Sequence, residues 1–466
     1  MQGFVSTVFG FNLLNNWSSD FGVYFVGSYS ISNTYPLYEG FFDHKGPLYY
    51  AFINVLGHFV PYSPLGAALT LTFTCIFFFL CVNIGNNLMK FDVTTKTVVN
   101  LISTSILWQQ TGNASIAIFQ SAFIYLSYAS FAQYLKNGRQ KAFTASVILA
   151  FLASLVRFDS ISALFSIFCI GVYFGKKKKL KFDKVSLLLL PILCLGFIYL
   201  LSTYLYFSIE TWWTNAIVFN LTTYRQWYGE YNEIQGVNFH SQLFSFPGRP
   251  YLVLILANVL MFFYATKLRE TWFLIGLTIA PFIMFASIAN PRDYHLLILF
   301  PSLLILLGHF LNYLVKTSKI KIAYSILSLV SIIFISIFSY RSFFVNACKF
   351  ELTFRCPNVF LSLSNEDTVA LESQSEFWIN QGWPYLFSGR KPSSNFTPYF
   401  PAKYNIGKAS QELKTEILSK RYRYIWVEES SSILNGITLK SLNVDFEKLY
   451  ERSDFTIGQY VLFELR

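Results

Sequence analysis

Charge is what this sequence has least of. Only 13% of its 466 residues are Asp, Glu, Lys or Arg, while 54% are hydrophobic, with 51 Phe and 30 Tyr. Soluble chains carry about 25% charge. The deficit excludes an ordinary soluble protein, because only lipid can solvate so much apolar surface on so many separate segments. Acidic residues are scarcer than basic ones, 25 against 36, which leaves a net charge of +11. In a membrane protein that excess is first a topology signal, and nucleic acid is not an expected partner. Histidine and cysteine are scarce too, at 5 and 6. No CxxC and no Cys/His cluster points to a structural zinc. Cys75, Cys81, Cys169 and Cys194 fall in apolar segments and read as small packing residues. Cys348 and Cys356 fall in a polar region and could pair if it faces an oxidising compartment. There is no internal repeat and no low-complexity tract. The N-terminal apolar stretch has neither a basic n-region nor an A-x-A site, so it does not read as a cleavable signal peptide.

What is present is a series of apolar segments, at roughly 1–14, 64–86, 97–110, 114–135, 142–157, 159–174, 185–208, 250–266, 271–290, 296–315 and 321–339. A further apolar piece, roughly 48–60, is either a span or a helix lying at the interface. Lys and Arg mark the breaks at 87–96, 136–141, 175–184, 266–270 and 316–321, the strongest being GKKKKLKFDK at 175–184. Cytoplasmic loops carry this excess. All five breaks share one side only if 48–60 does not cross, which gives about eleven spans with the N-terminus inside. Residues 15–63, 209–249, the turn PRDYH and everything after about 340 then lie outside. The first segment, with about 14 apolar residues against the ~20 of a full crossing, either tilts into protein or begins upstream of Met1. The lysine run reads as a topology anchor or as a site for anionic headgroups.

The expected fold class is therefore mainly α and polytopic. It comprises a membrane domain over 1–340, with a large first external loop (15–63) holding a juxtamembrane helix (48–60), and a second domain over 341–466. In that tail DTVALES, RYRYIWVEES and TIGQYVLFEL read as strands and KASQELKTEILSK as a helix, which makes a small soluble α/β domain on the external side.

Several residues on the outer side suit one chemistry. The first external loop holds Asp20, Tyr24, Glu39, Asp43, His44 and Lys45, and the 209–249 loop holds Glu210, Trp212, Trp213, Asn215, Asn220, Tyr224, Arg225 and Trp227. The later turn holds Arg292, Asp293, Tyr294 and His295, and Arg157 and Asp159 occupy a tight turn between two spans. A carboxylate can take a proton from a hydroxyl. Lys and Arg can hold the phosphate of an anionic leaving group. Trp and Tyr offer flat faces to sugars at headgroup level. A membrane enzyme that moves a sugar off a lipid phosphate needs all three. Each residue also has a plainer reading. Asp20 can be a helix cap or a solvated acid, and Lys45 a snorkelling boundary lysine. His44 can be a hydrogen-bonded loop histidine, the Trp and Tyr an interfacial belt, and Arg157–Asp159 a local ion pair.

The order of these residues carries a resemblance. SDFGVYFVGSYSISNTYPLYEGFFDHKGPLYY resembles the first external loop of bacterial membrane glycosyltransferases of the GT-C superfamily. The most similar group contains the protein mannosyltransferases and the lipid A aminoarabinose transferases. Its members show an acid after the first span, then a stretch like PYRDFFDHKPPLYY, which PLYEGFFDHKGPLYY follows nearly residue for residue. NPRDYHLLILFPSLLILLG resembles that group's RxYxHYxLPLLP stretch, and PYLFSGRKPSSNFTPYFP its soluble-domain motif LYxLSGRxPxSRY.

The resemblance implies a GT-C type membrane domain in a bacterial inner or plasma membrane, with the active site and the C-terminal domain extracytoplasmic. It implies that Asp20 is the base that activates the acceptor hydroxyl, and that Lys45 and Arg292 contact the lipid-linked phosphate. Asp43, His44, Tyr294 and His295 support them. Read from residue type alone, Trp212, Trp213, Tyr224 and Arg225 are the expected sugar or acceptor loop. The donor is a polyprenyl-phosphate sugar, the acceptor a hydroxyl on a lipid, glycan or protein, and the anomeric centre inverts. Two departures stand out. The protein mannosyltransferases have two adjacent acids where this chain has Asp20–Phe21, and Gly46 replaces the first Pro of the pair, which loosens the backbone. Some members bind a divalent metal through first-loop acids. With one acid at position 20 no metal is assumed, and Asp43 and His44 are the residues that could hold one. The alternatives are a polysaccharide or lipid transporter without chemistry, a polysaccharide polymerase, and a GT-C-like assembly subunit that has lost activity.

Overall fold

The computed structural model describes residues 19–34, 36–39, 45–109, 115–177, 184–222, 255, 276–279, 282–283, 297–316, 376–378, 415, 418–419, 424–428, 446–457 and 460–466. They are mostly helical. In chain order the helices are α1 (Ser19–Ser30), α2 (Pro47–Leu56), α3 (Pro64–Leu88), α4 (Val93–Gln109), α5 (Ser115–Asn137), α6 (Gln140–Val156), α7 (Ile161–Lys177), α8 (Lys184–Tyr204), α9 (Ile209–Leu221) and α10 (Phe300–Lys316). Four strands follow, with a one-turn helix (Phe446–Leu449) directly before the third: β1 (Glu376–Trp378), β2 (Tyr424–Glu428), β3 (Tyr450–Ile457) and β4 (Tyr460–Leu465).

Among the described residues three helices are long and apolar enough to cross a membrane: Leu65–Leu88, Ser115–Asn137 and Phe158–Lys177. A fourth crossing results if the bent pair Leu190–Tyr204 and Ile209–Leu221 counts as one span. The helices at the expected 142–157 and 296–315 spans are apolar but short, at 17 residues each, and α4, at the expected 97–110, does not qualify. Its sequence, VTTKTVVNLISTSILWQ, carries too many Thr, Ser and Asn. The expected spans at 1–14, 250–266 and 321–339, and most of 271–290, lie outside the described residues.

The chain divides into two compact units. The first comprises residues 1–12, 71–200 and 224–346. Its centre is α5, which is buried along most of its length and packs through hydroxyl groups. Ser121 Oγ donates to the Leu297 carbonyl (2.9 Å), Ser127 Oγ to that of Ser146 (2.6 Å) and the Tyr134 phenol to that of Gly171 (3.1 Å). In lipid, where no water competes, small and hydroxyl side chains are the natural glue between helices. The α5–α6 connection is two residues long and turns through Gly138 at φ 66°. The faces of α7 show which solvent it meets. Ala163, Ile167 and Gly171 point inward, while Ile161, Phe165, Phe168 and Val172 form an exposed apolar stripe. A stripe of this size would be a liability in water and is ordinary in a bilayer. Cys75 and Cys81 are buried as expected, but Cys169 lies on the exposed side of α7, so packing does not explain it.

The second unit comprises residues 13–70, 201–223 and 347–466. It holds helices within two segments expected as external loops. Residues 19–30, expected within the first external loop, form the buried helix α1. Residues 209–221, expected to open a long loop, form α9, which is capped by Ser208 Oγ accepting from Thr211 N (3.0 Å) and is π-helical over Trp213–Val218. A helix, α2, occupies most of the segment expected over 48–60, shorter and starting at Pro47. The strands form one sheet in the order β1-β2-β4-β3, with β1 and β2 parallel and the other pairs antiparallel. RYRYIWVEES supplies β2, but TIGQYVLFEL is not one strand. Ile457 pairs with Tyr460, so the chain reverses between them into a hairpin. The expected strand DTVALES, most of the helix KASQELKTEILSK, the SGRKP segment, Cys348 and Cys356 lie outside the described residues.

Candidate functional site

The site begins with two helices that the sequence starts in different ways. α2 opens as GPLYY, with Gly46 extended (φ −73°, ψ 159°) and Pro47 at the first helical position, where its missing N–H costs nothing. α1 opens at Ser19–Asp20. The two are joined by matched contacts that advance together along both chains. The Tyr24 ring stands edge-on to Tyr49 and Tyr50, with centroids 5.9 and 6.0 Å apart. Further along, Asn54 Nδ2 donates to the Ser28 carbonyl (2.7 Å), and the Tyr29 phenol donates to that of Val60 (2.6 Å). Residue 24 meets 49 and 50, 28 meets 54, and 29 meets 60, so α1 and α2 run parallel.

Parallel packing puts both N-terminal ends at one end of the pair. Asp20 is the second residue of α1, one turn or about 6 Å of helix before Tyr24. Lys45 precedes Pro47 by two residues and Tyr49 by four, and it is half-buried. The backbones of Asp20 and Lys45 therefore lie at the same end. That end is also where the two helix dipoles present their positive poles. No side chain caps α2 there.

A short strap, residues 36–39, ties the Lys45 stretch to the aromatic helix α9. Leu37 N donates to the Leu205 carbonyl (3.1 Å), and Asn215 Nδ2 to that of Tyr38 (3.1 Å). Thr211 Oγ1 donates to Glu39 Oε1 (2.9 Å). The Tyr38 phenol donates to the Lys45 carbonyl (2.7 Å). The Tyr204 phenol donates to Asn54 Oδ1 (2.7 Å), so the end of α8 is linked through Asn54 to α2 and α1. On α9, Trp213 is 55% exposed, while the indole nitrogen of Trp212 is buried with no hydrogen-bond partner among the described residues. Beside this region, burial pushes the Tyr29 phenol up to about 12.

Of the residues singled out from sequence, Asp20 stands at the start of α1, Lys45 just ahead of α2, and Trp212 and Trp213 on α9, which Tyr38 links to the Lys45 carbonyl. Asp43, His44, Tyr224, Arg225, Arg292, Tyr294 and His295 lie outside the described residues. No three His, Cys, Asp or Glu side chains cluster among the described residues. Sequence reading assigned no role to Asn54 or Tyr204, which no motif marks, nor to Tyr38, although it lies within PLYEGFFDHKGPLYY. Their roles depend on contacts as far as 177 residues apart along the chain.

In the first unit, Arg157 and Asp159 form a buried ion pair (2.9 Å). The amide nitrogen of the buried Gln120 donates to Asp159 and to Ser160. Charges removed from water persist only when paired and hydrogen-bonded in this way.

No protein-family model and no curated protein matches the chain.

Proposed function

We propose that this chain is an integral membrane glycosyltransferase of the GT-C type, which transfers a sugar from a polyprenyl phosphate to a hydroxyl of an extracytoplasmic lipid, glycan or protein. The observation that carries this reading is the parallel pairing of α1 and α2, fixed by Tyr24, Tyr49 and Tyr50, which leaves Asp20 and Lys45 at one end of the pair. A base and a phosphate-binding cation must meet at one substrate, and helices packed the other way round would separate them by the length of α2, about 15 Å.

The proposed reaction is a single displacement. The Asp20 carboxylate takes the proton of the acceptor hydroxyl as its oxygen attacks the anomeric carbon. The bond from that carbon to the phosphate oxygen breaks, and the configuration inverts. Lys45 and Arg292 meet the charge that develops on the departing polyprenyl phosphate, where fixed cations act most strongly. The positive end of α2 acts in the same sense. Asp43, His44, Tyr294 and His295 support this grip. Trp212 and Trp213, with Tyr224 and Arg225, face the sugar or acceptor. Should transfer prove metal-dependent on chelation, Asp43 and His44 are the candidate ligands. The mixed sheet β1–β4 supports reading the tail as a small α/β domain, which we place outside the membrane with the active site.

Mass spectrometry of envelope glycans and lipids from cells with and without the protein tests the assignment. A sugar missing from one lipid, glycan or protein class, with its polyprenyl-phosphate donor accumulating, is the expected result. Unchanged sugars and unchanged donor pools would contradict it.

A further inference from the structure

We propose that Tyr38 is a positioning residue for Lys45, and that it restores by a tertiary contact the rigidity that Gly46 removes from the backbone. The inference rests on reading Lys45 as the phosphate contact, and it gives Tyr38 a role that its place in PLYEGFFDHKGPLYY does not by itself state.

Lys45 stands between a strap and a helix. On its C-terminal side is Gly46, the residue with the widest backbone freedom, followed by Pro47, whose ring fixes the start of α2. Lys45 is therefore joined to a rigid helix through a flexible link. A cation that must meet a phosphate repeatedly at one place needs that link restrained. The restraint comes from Tyr38. Its phenol donates to the Lys45 carbonyl at 2.7 Å and so fixes the peptide group between Lys45 and Gly46.

Tyr38 is itself unusually constrained. It is only 2% exposed and sits at φ 72°, a left-handed conformation that a bulky residue adopts rarely and only when its surroundings enforce it. Those surroundings are identifiable. Asn215 Nδ2 holds the Tyr38 carbonyl (3.1 Å), and the Phe207 ring packs edge-on against the Tyr38 ring at 5.3 Å. On either side, Leu37 N is bonded to the Leu205 carbonyl and Glu39 to Thr211. A tyrosine kept in a disfavoured conformation, with its hydroxyl directed at the backbone of the proposed phosphate-binding lysine, is the pattern that strain held for function gives. The same bonds make α9, with Trp212 and Trp213, part of the support for Lys45.

The test is binding of farnesyl phosphate, with farnesol as the uncharged control, to the detergent-purified full chain. Wild-type protein is expected to bind the phosphate saturably and more tightly than the alcohol. Tyr38→Phe keeps the ring and removes only the hydroxyl. It is expected to weaken phosphate binding about fivefold, the effect of one hydrogen bond, and to leave farnesol binding unchanged. In a Lys45→Ala background the same substitution is expected to have no effect, because it acts through Lys45. Asn215→Ala, which releases the strap from the other side, is expected to act in the same direction and serves if Tyr38→Phe does not yield a monodisperse protein. Equal affinity of wild type and Tyr38→Phe, or an undiminished Tyr38→Phe effect in the Lys45→Ala background, overturns the positioning role and leaves the phosphate reading standing. No preference of wild type for phosphate over alcohol overturns the phosphate reading and the inference with it.

Discussion

The ring of Tyr24 stands edge-on to that of Tyr49, with centroids 5.9 Å apart and planes at 80°. This contact, repeated by Ser28 with Asn54 and by Tyr29 with Val60, sets the direction of α1 against α2. It therefore decides which residues share an end. A cross-linking experiment reads that direction. With the six native cysteines replaced, a cysteine at Asp20 is expected to be captured by a short bismaleimide with a cysteine at Gly46 and not with one at Gly57, at the far end of α2. Capture of the Gly57 partner alone would mean antiparallel helices.

The Arg157–Asp159 pair gives a stability prediction. Both charges are buried and Gln120 completes the set. Removing one partner leaves an uncompensated charge, so Arg157→Ala or Asp159→Ala should each cost about 3–5 kcal/mol. The double change to leucine should cost less than either, because no lone charge remains. Thermal unfolding in detergent of the three variants checks the order. A double variant less stable than both single ones would show that the pair does more than compensate its own burial.

A glycine in α3 makes a close approach that no other residue allows. A Cβ built at Gly85 would lie 2.7 Å from the Tyr125 ring, whose hydroxyl is bonded to Asn86 Oδ1 (2.5 Å) and cannot swing aside without losing that bond. Gly85→Ala should lower stability by about 1–3 kcal/mol. Gly196→Ala, where the added carbon meets nothing, should be neutral or slightly stabilising. Comparison of the two melting temperatures gives the answer, and equal values would contradict the packing of α3 on α5.

Tyr29 predicts how the second unit responds to alkali. Its phenol is pushed by burial from the ordinary 10.0 up to about 12. The folded protein therefore holds this proton more tightly than the unfolded chain does. The stabilisation is complete below pH 10 and is lost as pH rises from 10 towards 12. Tyr29→Phe removes this component, and with it the bond to the Val60 carbonyl, worth about 1 kcal/mol. The buried phenol of Tyr450 is raised in the same way, so the difference between wild type and Tyr29→Phe is the quantity to follow across that window. It should shrink as pH climbs, and a constant difference would rule out the titration.

How far the sequence could be read depended on whether a feature is local. The ends of α3, α4, α5, α6 and α10 follow the Lys and Arg breaks at Lys90, Lys96, Lys136, Lys141 and Lys316, because a basic residue marks its own position along the chain. The start of α2 was legible in Gly46–Pro47 for the same reason. α1 was not. SDFGVYFVGSYS mixes glycine with Val, Phe and Tyr, which taken locally favour extended structure, and is too short to read as a span. It is helical because burial against α2 outweighs that preference. α9 was missed because its polar and aromatic residues resemble an interfacial loop. The strap 36–39 opens the PLYEGFFDHKGPLYY motif, but its bonds leave no local trace, since those to Leu205, Thr211 and Asn215 each span most of the first half of the chain.

Transfer by the purified protein, from a polyprenyl-phosphate sugar to a hydroxyl acceptor, measured for wild type and Asp20→Asn side by side, tests the central claim most directly. The substitution keeps the size and hydrogen-bonding reach of the side chain and removes its basicity. Wild type should transfer the sugar with inversion, and Asp20→Asn should lose at least 100-fold in rate, about the contribution of a general base, with unchanged melting temperature and donor binding. Transfer at the wild-type rate by Asp20→Asn would remove this carboxylate from the chemistry and contradict the account.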